Sequence, residues 1–167
     1  MPENILPEPL LKDTSSNAKK GLWIKTYGCQ MNEYDSEKVL ALLSNGYKQV
    51  ETPEQADLAF INTCSVRDKA EQKLYSLLGV LRDIKKEKED YVIGVGGCVA
   101  QQEGEKIVSR ASAVDFVVGT HNLSLVPSLV KRAKTSKPSV AIDYKEEWEE
   151  LSPEIEQYSK DLSLIHI

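Results

Sequence analysis

Three cysteines, Cys29, Cys64 and Cys98, are the residues of this chain best suited to carry chemistry. Thiolates are soft ligands that select zinc, copper(I) or iron–sulfur clusters, and they are also the seat of thiol redox chemistry. Each of the three follows a short β-rich run and precedes a helical one. LWIKTYG leads into Cys29, DLAFINT into Cys64 and YVIGVGG into Cys98. In a parallel α/β sheet all strands point the same way, so the turns that follow them emerge on one edge. Adjacent strands lie ~4.8 Å apart, and three neighbouring strand ends span about 10 Å. Sulfur ligands delivered by three such turns converge on one volume. Helix N-termini on the same edge favour the negative charge of thiolate and sulfide. The common strand order 2-1-3, counted over the three cysteine-bearing strands, places Cys29 between Cys64 and Cys98.

Structural zinc sites use four protein ligands, whereas this chain offers three cysteines and two histidines, His121 and His166, at no ligand spacing from them. Three ligands on a cubane cluster leave one iron open to an exogenous sulfur species or to substrate. An iron–sulfur cluster with a reactive vacancy is therefore the preferred reading. Two others stand beside it: cysteines buried as small hydrophobes at strand ends, and a thiol redox protein.

The remaining signals are weaker. GVGGC (Gly94–Cys98) lacks both the full dinucleotide spacing and the Lys-Ser/Thr of a nucleotide loop, so Gly96 and Gly97 are expected to admit a bulky cluster to the backbone. His121 reads as a capping or surface residue. Asp35, Ser36 and Glu37 read as the start of the first helix, where carboxylates complement its dipole. Arg67 is a candidate to face the open edge, and Gln101 and Gln102 are candidates to donate hydrogen bonds there. The charge run RDIKKEKED, residues 82–90, reads as a solvated helix end.

The positioning elements follow from periodicity. Helices are expected over 32–45, 66–88, 101–110 and 123–134, alternating with strands at 22–28, 57–62, 91–97 and 114–119, and a short SVAID strand near 139–143. That alternation predicts an α/β fold: an open parallel sheet of four to five strands with helices on both faces, flavodoxin- or Rossmann-like. Residues 1–20 read as a flexible lead, 21–136 as the domain, and 137–161 as an acidic linker toward a further domain. Residues 162–167, LSLIHI, continue no pattern and read as an artefactual tail.

Composition narrows the functional class. Of the 167 residues 41% are hydrophobic and 28% charged, ordinary values for a globular protein. No apolar run approaches the roughly 20 residues of a membrane span, and the N-terminus lacks the pattern of a secretory signal, so a cytoplasmic protein is expected. An odd cysteine count argues against a disulfide framework. The net charge of −5 argues against a stand-alone nucleic-acid binder.

Four segments carry a family resemblance: YGCQMNEYDSE (Tyr27–Glu37), NTCSVRDKAEQKLYSLLG (Asn62–Gly79), GVGGCVAQQEG (Gly94–Gly104) and VDFVVGT (Val114–Thr120). Together they resemble the N-terminal domain of the methylthiotransferases, from about Leu22 to Lys134. The runs Gln30-Met31-Asn32 and Ser65-Val66-Arg67 favour the branch acting on N6-isopentenyladenosine in tRNA. The resemblance implies that Cys29, Cys64 and Cys98 ligate an auxiliary 4Fe–4S cluster with one open iron, where the sulfur to be inserted resides. It also implies a radical S-adenosylmethionine barrel with a second 4Fe–4S cluster on a CxxxCxxC motif. That barrel delivers the methylthio group to C2 of the adenosine next to the anticodon, and a small RNA-binding domain follows it. No CxxxCxxC occurs in this sequence. The chain is therefore expected to be a cluster-binding part, inactive alone, of a monomeric enzyme whose partners are tRNA and a sulfur donor; the alternatives are a stand-alone iron–sulfur or zinc carrier and a thiol redox protein.

Overall fold

The structure, a computed structural model, describes residues 18–64, 68–135 and 137–143. Arg67, most of the lead and most of the acidic stretch lie outside the described residues, as does the LSLIHI tail.

Among the described residues six strands form one sheet: β1 Lys20–Tyr27, β2 Tyr47–Gln49, β3 Leu58–Thr63, β4 Val92–Gly97, β5 Phe116–Val118 and β6 Ser139–Ala141. Every neighbouring pair is parallel, and the order is β2-β1-β3-β4-β5-β6. The helices are α1 Gln30–Leu43, α2 Asp68–Glu87, α3 Cys98–Arg110 and α4 Val126–Ala133. Short 3-10 segments occupy Pro53–Gln55 and Thr120–Leu125. The predicted α/β class with an open parallel sheet holds, with one strand more than expected. The additional strand is β2, whose three residues YKQ are half-buried or exposed. So short a run has no readable period.

Alternation along the central strands sends successive side chains to opposite faces. Ala59 and Ile61 of β3, with Ile93 and Val95 of β4, pack under Leu74, Leu78 and Leu81 of α2 and Val99 and Ile107 of α3. Leu58 and Phe60 pack on the other face with Val39 and Leu43 of α1 and Val126, Leu129 and Val130 of α4. β3 and β4 are buried along their whole length, as the middle of a doubly covered sheet requires. At about 1.5–3 kcal/mol for each large apolar side chain fully buried, these two layers supply the main driving force for folding.

On the α1/α4 face, β4 presents glycines where its neighbours present rings. A Cβ on Gly96 would lie 2.5 Å from Cζ of Phe60, and one on Gly94 would overlap the ring of Phe116. The two rings stack with centroids 6.3 Å apart. The room at Gly96 is thus filled by the protein's own core, which corrects the expectation that it admits a cluster.

The charged end of α2 is also more than solvated surface. Lys85 Nζ stands 2.6 Å from both carboxylate oxygens of Asp115 and donates to the carbonyl of Ala113 at 3.0 Å. Asp115 in turn accepts the backbone N–H of Ile93 at 2.8 Å. Lys88 donates to the carbonyls of Glu54 and Ala56. Two lysines of the run therefore tie α2 to strand starts at the edge opposite the cysteines. Among the described residues no helix is long and apolar enough to cross a membrane.

Candidate functional site

The register fixes the carboxyl rim of the sheet. Tyr27 of β1 pairs with Thr63 of β3, and Thr63 pairs with Gly97 of β4. The chain leaves all three strands at the same level, and Cys64 and Cys98 follow immediately. Cys29 follows one residue later, after Gly28. The three predicted ligands therefore share one edge, at the turns of three adjacent strands. Their order along it corrects the sequence reading. Because β2 takes the outer position beside β1, the 2-1-3 rule acts on β2, β1 and β3. Cys64 is thus the middle cysteine, with Cys29 and Cys98 flanking it.

The three thiols differ in setting. Cys64 is 8% exposed, whereas Cys29 is exposed and Cys98 intermediate. Cys29 caps α1 and Cys98 is the first residue of α3, so both stand at helix N-termini, where backbone N–H groups favour negative charge. Gly28 has φ +143°, and a Cβ there would come 2.7 Å from Cβ of Cys64. Only glycine lets the first turn pass this close to the third strand. Among the described residues no group of three or more His, Cys, Asp or Glu side chains stands ready to hold a metal ion. The three thiols stand on neighbouring turns of the rim without being gathered into such a group.

Beneath Cys29 and Cys64 lies a buried polar network that sequence reasoning missed. Asn62, 1% exposed, donates from Nδ2 to the main-chain carbonyl of Asn32 at 2.7 Å and to Ser36 Oγ at 3.0 Å. Its Oδ1 accepts from Nδ2 of Asn32 at 3.1 Å, and Ser36 Oγ meets Thr26 Oγ1 at 2.8 Å. Ser36, read from the sequence only as part of the helix start, is a buried link between β1, α1 and β3. One signal was present in the sequence: Asn62 interrupts an apolar run near the end of β3, and a polar group there must find a buried partner.

Asp35 is buried as well. Burial raises its carboxyl above the usual carboxylate range, and the positive charges of Lys38 and His121 pull it part of the way back. A carboxyl raised on folding stabilises the fold fully below its unfolded pKa of about 3.9, and that contribution is lost as pH rises through the folded value. We expect Asp35→Asn to unfold at higher urea concentration than the parent at pH 7 and at the same concentration at pH 3. Urea titrations at the two pH values check this.

The other candidates separate. Gln101 donates from Nε2 to the carbonyl of Ile142 at 2.7 Å, which ties α3 to the chain after β6. It is therefore not a donor toward the cysteines, and Gln102 is exposed. His121 lies exposed in the 3-10 segment after β5, on the same rim and near Asp35, apart from any metal-holding group among the described residues. Gly97, at φ +94°, faces Thr63 and Asn62, so its lack of a side chain serves strand packing rather than cluster access.

Fold and rim define a class: an open, all-parallel α/β domain of flavodoxin-like strand order, with cysteines on the carboxyl edge around the switch point between β1 and β3. Residues 21–119 match the family described as Uncharacterized protein family UPF0004, and the chain belongs to that family. It is 50% identical over 129 residues to a protein of Citrifermentans bemidjiense named tRNA-2-methylthio-N(6)-dimethylallyladenosine synthase, covering 77% of this chain and 29% of that protein. Proteins of the same name from Dichelobacter nodosus and a Janthinobacterium species are 52% identical over 123 residues and 48% identical over 143. Those matches cover 72% and 84% of this chain and 27% and 30% of the relatives. The chain thus spans less than a third of the length of these relatives.

Proposed function

We propose that this chain is the auxiliary iron–sulfur domain of a tRNA methylthiotransferase, with Cys29, Cys64 and Cys98 holding a 4Fe–4S cluster whose fourth iron is open. The observation that carries the reading is the aligned row Tyr27, Thr63 and Gly97, with a cysteine one or two residues beyond each. The donor set suits the group by its chemistry and its placement: three soft thiols on the turns of three adjacent strands, with helix N-termini behind two. Bound there, the cluster supplies an open iron able to hold the sulfur that is to be transferred.

The residues of this chain do the holding. Cys64, nearly buried between its neighbours, anchors the site from β3, while Cys29 and Cys98 close on it from the turns after β1 and β4. The whole protein adds a methylthio group to C2 of N6-isopentenyladenosine (the dimethylallyl nucleoside of the relatives' name) next to the anticodon. S-adenosylmethionine and a second 4Fe–4S cluster belong to a part bearing CxxxCxxC, a motif this sequence does not contain. The chain alone therefore holds a cluster without completing the reaction. With a net charge of −5 it leaves most of the grip on tRNA to the rest of a cytoplasmic, monomeric enzyme that draws on a separate sulfur donor.

The test is nucleoside mass spectrometry on tRNA from cells whose only copy of the whole protein carries Cys64→Ala. We expect the 2-methylthio nucleoside to vanish and N6-isopentenyladenosine to accumulate. Methylthio nucleoside at the parental level would exclude the reading.

A further inference from the structure

Asn32 is 3% exposed in the first turn of α1, and both ends of its carboxamide are spoken for. Oδ1 accepts the backbone N–H of Cys29 at 3.4 Å and its thiol at 3.5 Å. Nδ2 donates to Oδ1 of Asn62 at 3.1 Å. The oxygen and nitrogen of a carboxamide are interchangeable in shape, so the network must decide which end faces the cysteine. It does. Asn62 uses its Nδ2 hydrogens on the Asn32 carbonyl, 2.7 Å away, and on Ser36 Oγ, 3.0 Å away, which turns its oxygen toward Asn32. Asn32 must answer with its nitrogen, and only its oxygen is left for Cys29. Reversing either amide would set oxygen against oxygen inside a buried cluster.

Gly28 makes the reach possible, because a Cβ there would overlap Oδ1 of Asn32. The chain from β3 through Asn62 and Asn32 to the Cys29 backbone is therefore continuous and one-way. Cys29 is the exposed member of the three thiols, on the turn one residue longer than the others, and of the two carboxamide contacts the one to its backbone N–H persists when the thiol gives up its proton to bind iron.

We propose that Asn32, locked in orientation by Asn62, is the positioning residue of Cys29 and sets how firmly the first cysteine holds the cluster. This rests on the cluster reading above. The experiment compares the parent chain with Asn32→Ala, Asn62→Ala and Lys85→Met after anaerobic reconstitution, following iron loss to a chelator and the electron paramagnetic resonance spectrum of the reduced cluster. Lys85→Met is the stability control, since its bonds to Asp115 and Ala113 lie at the far edge of the sheet.

Asn32→Ala is expected to release iron roughly ten- to a hundredfold faster than the parent and to shift the spectrum. Asn62→Ala, which leaves Asn32 in place but unlocks it, moves both readings the same way and serves should Asn32→Ala not fold. Lys85→Met lowers the melting temperature and leaves both at parental values. Parental release in both asparagine variants overturns the proposal, as does equal acceleration by Lys85→Met. A parent chain that takes up no iron overturns the cluster reading first, and the positioning role with it.

Discussion

Cys64→Ala is expected to reduce iron uptake by the reconstituted chain from about four atoms to less than one, while leaving the fold in place. The argument is positional. Cys64 stands between the other two cysteines, because β3 lies between β1 and β4. Strand ends are ~4.8 Å apart, so either flanking cysteine is one spacing from Cys64 and two from the other. Removing the middle ligand leaves two thiols about 10 Å apart, at the outer turns, to hold a cubane of which two irons then lack a protein ligand. The substitution itself is mild. It deletes one sulfur from a nearly buried site, a change of about 1 kcal/mol against a domain stability of about 5–15 kcal/mol. Far-ultraviolet circular dichroism should therefore match the parent. Full iron retention would show that the three-ligand account is wrong.

The second large effect belongs to a residue with no side chain. Gly97→Ala should lower the melting temperature by roughly 10 °C or more and reduce cluster loading with it. Gly97 has φ +94° and ψ −167°, a backbone region that costs other residues about 1–3 kcal/mol. An added methyl would also lie 2.8 Å from the backbone nitrogen of Thr63 and 2.5 Å from Oδ1 of Asn62, and it would overlap the Thr63 carbonyl. Those atoms belong to the paired edge of β3 and to the asparagine network, so they have little room to yield. Overpacking of that kind adds about 1–3 kcal/mol. Whatever relaxation occurs displaces Cys98, the next residue. A melting temperature within about 2 °C of the parent would contradict the account of this turn.

Both effects trace to features that were unequally legible in the sequence. The repeated passage from an apolar run through cysteine into a helical period was plain at 57–64 and 91–98, because β3 and β4 are covered on both faces and carry few polar residues. The single edge followed from parallel strands. What the sequence concealed was β2. Tyr47–Gln49 lies at the sheet margin, so nothing forces an apolar pattern on it. Missing that strand shifted the numbering and moved Cys29 into the middle in place of Cys64.

Glycine was similarly ambiguous. Gly96 and Gly97 both signal close approach, but only coordinates reveal what approaches: the Phe60 ring for one, the end of β3 for the other. Gln101 pointed to the rim by position and turned instead to Ile142, a partner 41 residues away. The asparagine pair was hidden for the same reason. Asn32 and Asn62 are 30 residues apart, and although Asn62 in an apolar strand calls for a buried partner, nothing local identifies Asn32 as that partner until the fold places them face to face.

The most direct measurement is the iron and acid-labile sulfide content of the purified chain after anaerobic reconstitution, with its visible spectrum. About four of each per chain, with the charge-transfer absorbance of a cubane, is the expected result. A chain that stays colourless and binds less than one iron, or that takes up a single zinc in its place, would show that the shared rim of Cys29, Cys64 and Cys98 does not build a cluster site.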